Sequence, residues 1–312
     1  MKNALTLALA LGAAIALGNS ALAQVDAEVP TDFGSIAAAV AGAVDGDSNG
    51  DIVISVLAGT YNENLFILRS DIHLIGAGAG STTIAGVADA DTVRVEDASN
   101  FRIEGFTVTG VATRNAIKLE DSSDCAIVDN TATGCRRGIS LTRTSGTLIQ
   151  GNTMSGNVRG GMKLGRSNGN MILGNTASGN MSHGIALDRS SDNLVDGNVA
   201  TDNIGVGMGA RRATGITFSN NTSTGHTDAG LRVRSVGASA FVGNVSTNNE
   251  YGLRTRETLD TLVSGNTLSD SLKEGIRMRD DVALDFDAAA GIQPPTGDNT
   301  VEGNALGDVR ED

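Results

Sequence analysis

Between Asn115 and Arg279 short apolar runs alternate with polar residues and are cut at a fixed beat by glycine and asparagine. A representative unit reads Gly151-Asn-Thr-Met-Ser-Gly-Asn157, then Gly161-Met-Lys-Leu164, a polar turn, an apolar Met171-Ile-Leu173, and Gly174-Asn-Thr-Ala-Ser-Gly-Asn180. Asn130, Asn152, Asn175, Asn198, Asn221, Asn244 and Asn266 hold one position of the unit, spaced by 22, 23, 23, 23, 23 and 22 residues. Gly138, Gly161, Gly184, Gly207, Gly230, Gly252 and Gly275 keep the same beat. A fixed period of this length marks a repeat protein whose units bury their apolar faces only by stacking on one another.

Strict alternation, as in Ile185-Ala-Leu187, predicts strands, and no window of the repeat region carries helical periodicity over a helix's length. Glycine and asparagine suit the corners because they enter left-handed backbone at low cost. Three short strands in 22–23 residues predict one coil of a parallel β-helix. The expected fold is all-β, a single-stranded parallel β-solenoid of about ten coils. Stacked strands lie ~4.8 Å apart, so residues one period apart stand over one another. The repeated asparagine then forms an inner ladder, each side chain bonding the next coil's backbone.

The ends depart from the repeat. Met1 to Ala23 reads as a secretory signal, with Lys2, an apolar Ala4–Leu17 and a small-residue site at Ala21-Leu-Ala23. No other segment is apolar for long enough to span a bilayer. The expected organisation is signal 1–23, N-terminal cap 24–50, β-helix 51–304 and tail 305–312. Within the cap, alanine-rich Thr31–Val44 predicts a short helix over the open first coil, which a solenoid must cover. Asp280 to Asp298 interrupts the period with Asp280, Asp281, Asp285, Asp287 and Pro294-Pro295, and reads as a surface loop. Thr300-Val-Glu-Gly-Asn304 then resumes the motif.

Charge narrows the function. The chain has 23 Lys and Arg against 36 Asp and Glu. Without Lys2 the balance is 22 − 36, or −14. With aromatics at 3% and no Trp, that argues against a nucleic-acid binder. A signal peptide places the expected protein in the periplasm or outside the cell, as a monomer with no membrane span once the signal is removed. Cys125 and Cys135 fall at different corners of one coil. A bridge needs Cα atoms within ~7 Å, so two small buried side chains are the simpler expectation. Asp45-Gly-Asp47-Ser-Asn49-Gly-Asp51 matches the opening of a calcium loop, but its twelfth position is Val56 instead of a carboxylate. Asp45, Asp47 and Asn49 are thus calcium candidates set against a plain polar turn. No other metal or cofactor is expected.

The opening of the repeat region carries a family resemblance. Gly59-Thr-Tyr-Asn-Glu63, Gly76-Ala-Gly78 and Thr82-Thr-Ile84 resemble the first coils of the pectin-lyase-like superfamily of right-handed parallel β-helices. The later Gly-Asn repeats resemble those of the sugar-binding and sugar-hydrolysing members, among them NosD-like periplasmic proteins and alginate epimerases. The resemblance covers about Asp51 to Asn304 and implies the fold, right-handed coiling included, more strongly than an activity, because the repeated residues build coils and not sites. Alginate epimerases carry Tyr-Gly-Phe-Asp-Pro-His on such a strand; here it is Tyr251-Gly-Leu-Arg-Thr-Arg256, with the Asp and His replaced. Three scattered His and mostly inward Met also give no soft-metal cluster for a NosD-like copper role.

Outward positions form columns. After each repeat glycine, one outward column runs Arg94, Lys118, Ser140, Lys163, Ala186, Gly209, Arg232, Arg254, Arg277. Its neighbour runs Glu96, Glu120, Thr142, Gly165, Asp188, Arg211, Arg234, Arg256, Arg279. Two like charges ~4.8 Å apart repel by about 0.9 kcal/mol even in water, so stacked arginines call for anions. Arg211, Arg232, Arg234, Arg254, Arg256, Arg277 and Arg279 are the candidate groove for an anionic polysaccharide, because guanidinium forks match carboxylate and sulfate. The competing expectation is a charge ladder paired internally by Glu250, Glu257, Glu274, Asp280 and Asp281. A corner column, Arg143, Arg166, Arg189 and Arg212, either extends the groove or bonds neighbouring corner carbonyls.

Lyase- or epimerase-like chemistry on a uronate needs a cation at the carboxylate, a base for the C5 proton and an acid for the leaving oxygen. Tyr251, His226 and Lys273 are the candidate proton carriers beside the arginines; their plain alternatives are a corner plug, an asparagine substitute and a surface cation. The other outcome is a non-catalytic envelope or NosD-like accessory protein that binds without turnover.

Overall fold

Each repeat folds as three short strands separated by corners, and each strand pairs in parallel with its counterpart one coil on. Within the representative unit these are Gly160–Gly165, Met171–Leu173 and Thr176–Ser178. The computed structural model describes residues 24–279, 282–285, 299–302, 304 and 307–311. The expected signal segment lies outside them, as does most of the 280–298 interruption. The first two strands of the coils merge into a 23-stranded sheet and the third strands form an 11-stranded sheet. The result is an all-β solenoid of about eleven turns with one short helix among the described residues.

The register follows the sequence period without slips through the central coils. Ile139, Met162, Ile185, Met208, Leu231 and Leu253 are stacked partners pointing inward. Apolar side chains from the three walls fill the interior, and Phe218 and Phe241 stack with ring centroids 5.2 Å apart. Such pairs add about 0.5–1.5 kcal/mol beyond area burial.

The asparagine ladder is the polar spine of this core. Asn152 Nδ2 donates to Ile127 O one coil back at 2.8 Å, and Asn175 Oδ1 accepts from both the amide and Nδ2 of Asn152. The ladder continues to Asn299, whose Oδ1 accepts from the Asn266 amide at 2.9 Å across the 280–298 interruption. Asn304 serves a second ladder through the Ser271 amide. Part of the interruption is not a loop: Val282–Asp285 pairs with the strand Leu259–Ser264, since its alternating Val and Leu suit another strand.

The helix is Ile36–Gly42, shorter than the expected 31–44 because Ser35 caps it and the backbone leaves helical geometry at Ala43. The Glu63 carboxylate accepts from the amides of Ile36 and Ala37 at 3.0 and 2.8 Å, an anion at the helix N-terminus. Arg69 binds the carbonyls of Val40 and Ala43 at its other end. These two side chains tie the helix to the coils. Strand Ala27–Val29 pairs with Ile52–Val56 and starts the large sheet.

Candidate functional site

The outward strand after each repeat glycine carries the charged columns. Parallel pairing places Arg232, Arg254 and Arg277 in direct register, and likewise Arg211, Arg234 and Arg256. Arg279 follows on the next coil, its carbonyl accepting from the Glu257 amide. Carboxylates interleave with these guanidiniums. Asp188 holds Arg211 at 2.8 Å. Asp228 is shared by Arg232 at 2.6 Å and Arg254 at 3.3 Å. Glu257 is shared by Arg256 at 3.1 Å and Arg234 at 3.8 Å. Asp228 is the partner that sequence reading missed; it lies four residues before Arg232, on the corner where Gly205, Asp228, Glu250 and Lys273 stack through backbone bonds.

Tyr251 lies where the acidic corner meets the arginines. It is 4% exposed, with Arg254, Lys273 and Arg277 against its ring at 5.1, 5.1 and 5.6 Å. Its phenol oxygen accepts from Lys273 Nζ at 3.2 Å and from Arg277 Nη1 at 3.0 Å. Lys273 also binds Glu250, and that hydrogen bond followed by the one to Tyr251 raises its pKa above the usual lysine value. The phenol is therefore held by two cationic donors.

His226 does not join them. It is 3% exposed inside the solenoid, where its Nδ1 accepts from the Asn203 amide and its own amide donates to Asn249 Oδ1. It fills an asparagine position of the second ladder, walled off from the outward face, so the expectation of a proton carrier there is corrected. The corner arginines are corrected too. Their backbone amides, not their guanidiniums, bond the neighbouring corner carbonyls (Arg143 N to Gly165 O, Arg166 N to Asp188 O and Arg189 N to Arg211 O), while the Arg143 guanidinium holds Asp121 and Glu120. All four, with Arg212, take left-handed backbone at φ 53–55°.

At the cap, Asp26 joins Asp45 and Asp47 within 4.8 Å, while Asn49 Oδ1 accepts from the Asp51 amide. Asp45 accepts from the amides of Gly50 and Ser48, which hold its carboxyl below the usual range. Asp45, Asp47 and Asn49 thus form a turn whose carboxylate and amide oxygens accept from the amides of Ser48, Asn49, Gly50 and Asp51 and from the Asn49 side chain. Cys125 and Cys135 are free and buried, and burial pushes both thiols up to about 11.

These features define a class: a right-handed parallel β-helix of the pectin-lyase-like type with an outward face of stacked charges. The chain belongs to the family described as periplasmic copper-binding protein (NosD), whose sequence profile matches residues 48–222, or 175 of 312. No curated protein matches the sequence. Among solved structures, the A-module of the Azotobacter vinelandii mannuronan C-5 epimerase AlgE6 is similar at TM-score 0.61 and 19% identity. That match covers 84% of this chain and 87% of the other. A double mutant of the periplasmic alginate epimerase AlgG is similar at TM-score 0.56 and 14% identity, over 92% and 81%. The enzymatically active domain of tailspike protein 2 from bacteriophage CBA120 is similar at TM-score 0.57 and 9% identity, over 82% and 48%. At these identities the likeness is one of fold.

The family description implies copper, and the residues here do not fit it. Copper selects imidazole, thiolate and thioether ligands. Among the described residues the one group of three His, Cys, Asp or Glu side chains close enough to share an ion is Asp26, Asp45 and Asp47, all oxygen donors. Met154, Met162 and Met208 are core residues, and His226 is inside the solenoid while His183 is on the outward wall. No helix among the described residues is long and apolar enough to cross a membrane.

Proposed function

We propose that this protein binds an anionic, uronate-type polysaccharide along the outward face formed by Arg211, Arg232, Arg234, Arg254, Arg256, Arg277 and Arg279, in the periplasm or outside the cell. The carrying observation is the sharing of Asp228 between stacked Arg232 and Arg254, which leaves one carboxylate for two adjacent guanidiniums. A second anion from a ligand would be welcomed there, since arginine forks pair with carboxylate in two hydrogen bonds. The stacking step of ~4.8 Å is comparable with the length of one sugar unit, so successive acidic sugars can follow successive coils. The family's periplasmic description and the polysaccharide-directed names of the structural neighbours support the compartment and the ligand class.

The test is retention of the purified protein on immobilised alginate and polygalacturonate. Salt-sensitive retention that weakens at least about tenfold in Arg232→Ala/Arg254→Ala is expected, because each lost charge-assisted pair is worth about 1.5–3 kcal/mol. Retention unchanged by that variant, or none in the native protein, refutes the reading.

Lyase or epimerase chemistry is the second reading, and the geometry at Tyr251 favours it. In elimination, a base removes the C5 proton, the electron pair forms the C4–C5 double bond, the C4–O bond breaks and the leaving oxygen takes a proton. Tyr251 is the proton carrier, Lys273 and Arg277 hold its oxygen, and an arginine neutralises the sugar carboxylate. Absorbance of unsaturated ends, or C5 proton exchange with solvent, that disappears in Tyr251→Phe is the expected result. Binding without either signal leaves a non-catalytic binder.

A further inference from the structure

The distribution of ion pairs along the outward face is uneven. In the first coils Glu120 serves Arg94, Lys118 and Arg143, and Asp121 serves Arg143 as well. From Arg211 onward, Asp188, Asp228 and Glu257 interleave with the arginines. Between these stretches, Arg136, Arg137, Arg159 and Lys163 make no ion pair among the described residues. The pre-strand corner, acidic at Asp228 and Glu250, is basic here: Arg159 stacks on Arg136 and Arg136 on Arg114 through backbone bonds of 2.8 and 2.6 Å.

Small residues surround this patch. Gly160 is the register partner of Arg137, and Gly165 is the partner of Thr142. Lys163 has Ser140 on one side and Ala186 then Gly209 on the other, before the column turns long again at Arg232. Arg137 and Lys163 are half-buried and make no ion pair among the described residues; the one carboxylate whose field reaches Lys163 is Asp188, which is held by Arg211. Burial, then Arg136 and Arg159, push the Arg137 guanidinium down to about 10. Burial, then Arg137, lower Lys163 against the opposing field of Asp188.

His183 completes the edge. Its Nδ1 accepts the Val206 amide hydrogen at 3.2 Å, so the neutral ring carries its proton on Nε2. Burial first, then Arg232, Arg211 and Lys163 lower its pKa against the opposing field of Asp228. A neutral N–H donor therefore stands beside cations.

We propose that Arg137, Lys163 and the Nε2–H of His183 form a seat for a single anionic group, the carboxylate of a uronate unit or a sulfate ester. The ligand class rests on the polysaccharide reading above; the seat itself rests on the unpaired cations and the floor of small residues around them.

The experiment titrates the protein with trigalacturonate, trimannuronate, a sulfated disaccharide and inorganic sulfate, reading heat and the His183 imidazole signal by NMR. His183→Gln assigns that signal among the three histidines. The seat predicts saturable binding, a rise in the His183 titration midpoint with ligand, and about tenfold weaker binding in Lys163→Gln and Arg137→Gln. Lys163→Arg restores most of the affinity, and Arg102→Gln on the neighbouring wall leaves it within about twofold. Stronger response to uronates or to the sulfated sugar distinguishes the two sources. Trisaccharide affinity unchanged in Lys163→Gln, or a His183 signal indifferent to every anion, overturns the seat. If the polymer is retained while these probes fail, the seat alone falls. If sulfate moves His183 but no polymer is retained, the seat stands and the polysaccharide reading falls.

Discussion

The Nδ1 atom of His226 accepts the amide hydrogen of Asn203 at 3.1 Å, so an imidazole takes a rung between Asn203 and Asn249 in a ladder built mainly of asparagine. Gly207 makes this possible, because a Cβ there would lie 2.4 Å from His226 Nε2. Burial lowers the His226 pKa below 6.5. The unfolded chain then takes up the proton first. Stability is complete above about pH 6.5 and declines as pH falls through the folded value. His183, lowered chiefly by burial, has the same sign. Urea midpoints at pH 7.5 and 5.5 should therefore differ, and His226→Asn should reduce the difference. An unchanged difference in the variant would show that His226 takes no part.

Asn175 is the interior test of the ladder. Its Nδ2 donates to Ile149 O, Leu173 O and Asn198 Oδ1, and its Oδ1 accepts from Asn152. Asn175→Ala leaves several buried groups without partners, each costing about 1–3 kcal/mol. A loss of about 3 kcal/mol or more is expected in thermal or urea unfolding. A loss below about 1 kcal/mol would mean that the ladder is not a main support.

Two glycines of the same repeat should behave differently. A Cβ on Gly184 would lie 2.6 Å from Gly207 O, a backbone atom that cannot step aside. Gly184→Ala is expected to cost about 1–3 kcal/mol by overpacking. Gly174, at φ +58° with nothing within 4 Å, should cost about 1 kcal/mol as alanine through left-handed strain alone. Equal melting temperatures for the two variants would refute the close-approach argument.

Asp228→Asn should strengthen polymer retention, because it frees Arg232 and Arg254 from their shared carboxylate. Exposed pairs are worth about 0.2–1 kcal/mol, so the gain is about 1.4- to fivefold at low salt. It should fade at 1 M salt, where the Debye length is about 3 Å. Weaker retention would show that Asp228 positions these arginines more than it competes for them.

The period of 22–23 residues determined the fold, because an asparagine or glycine recurring at that interval has few partners other than its own copy one coil away. It also determined the columns, since parallel stacking converts equal spacing into vertical alignment, as Arg232, Arg254 and Arg277 show. Sequence alone did not find Glu63 and Arg69 at the ends of the cap helix, nor the strand Val282–Asp285, because these contacts lie off the period. Which charges cancel was decided only in three dimensions. Side chains from a corner and from the following strand meet according to how they bend, so Asp228 is shared by two arginines while Arg137 and Lys163 make no ion pair among the described residues, with Asp188 acting on Lys163 only through its field. The placement of His226 inside and Tyr251 at the face is of the same kind: a repeat fixes the position along the coil, and packing decides which side of the wall receives the side chain.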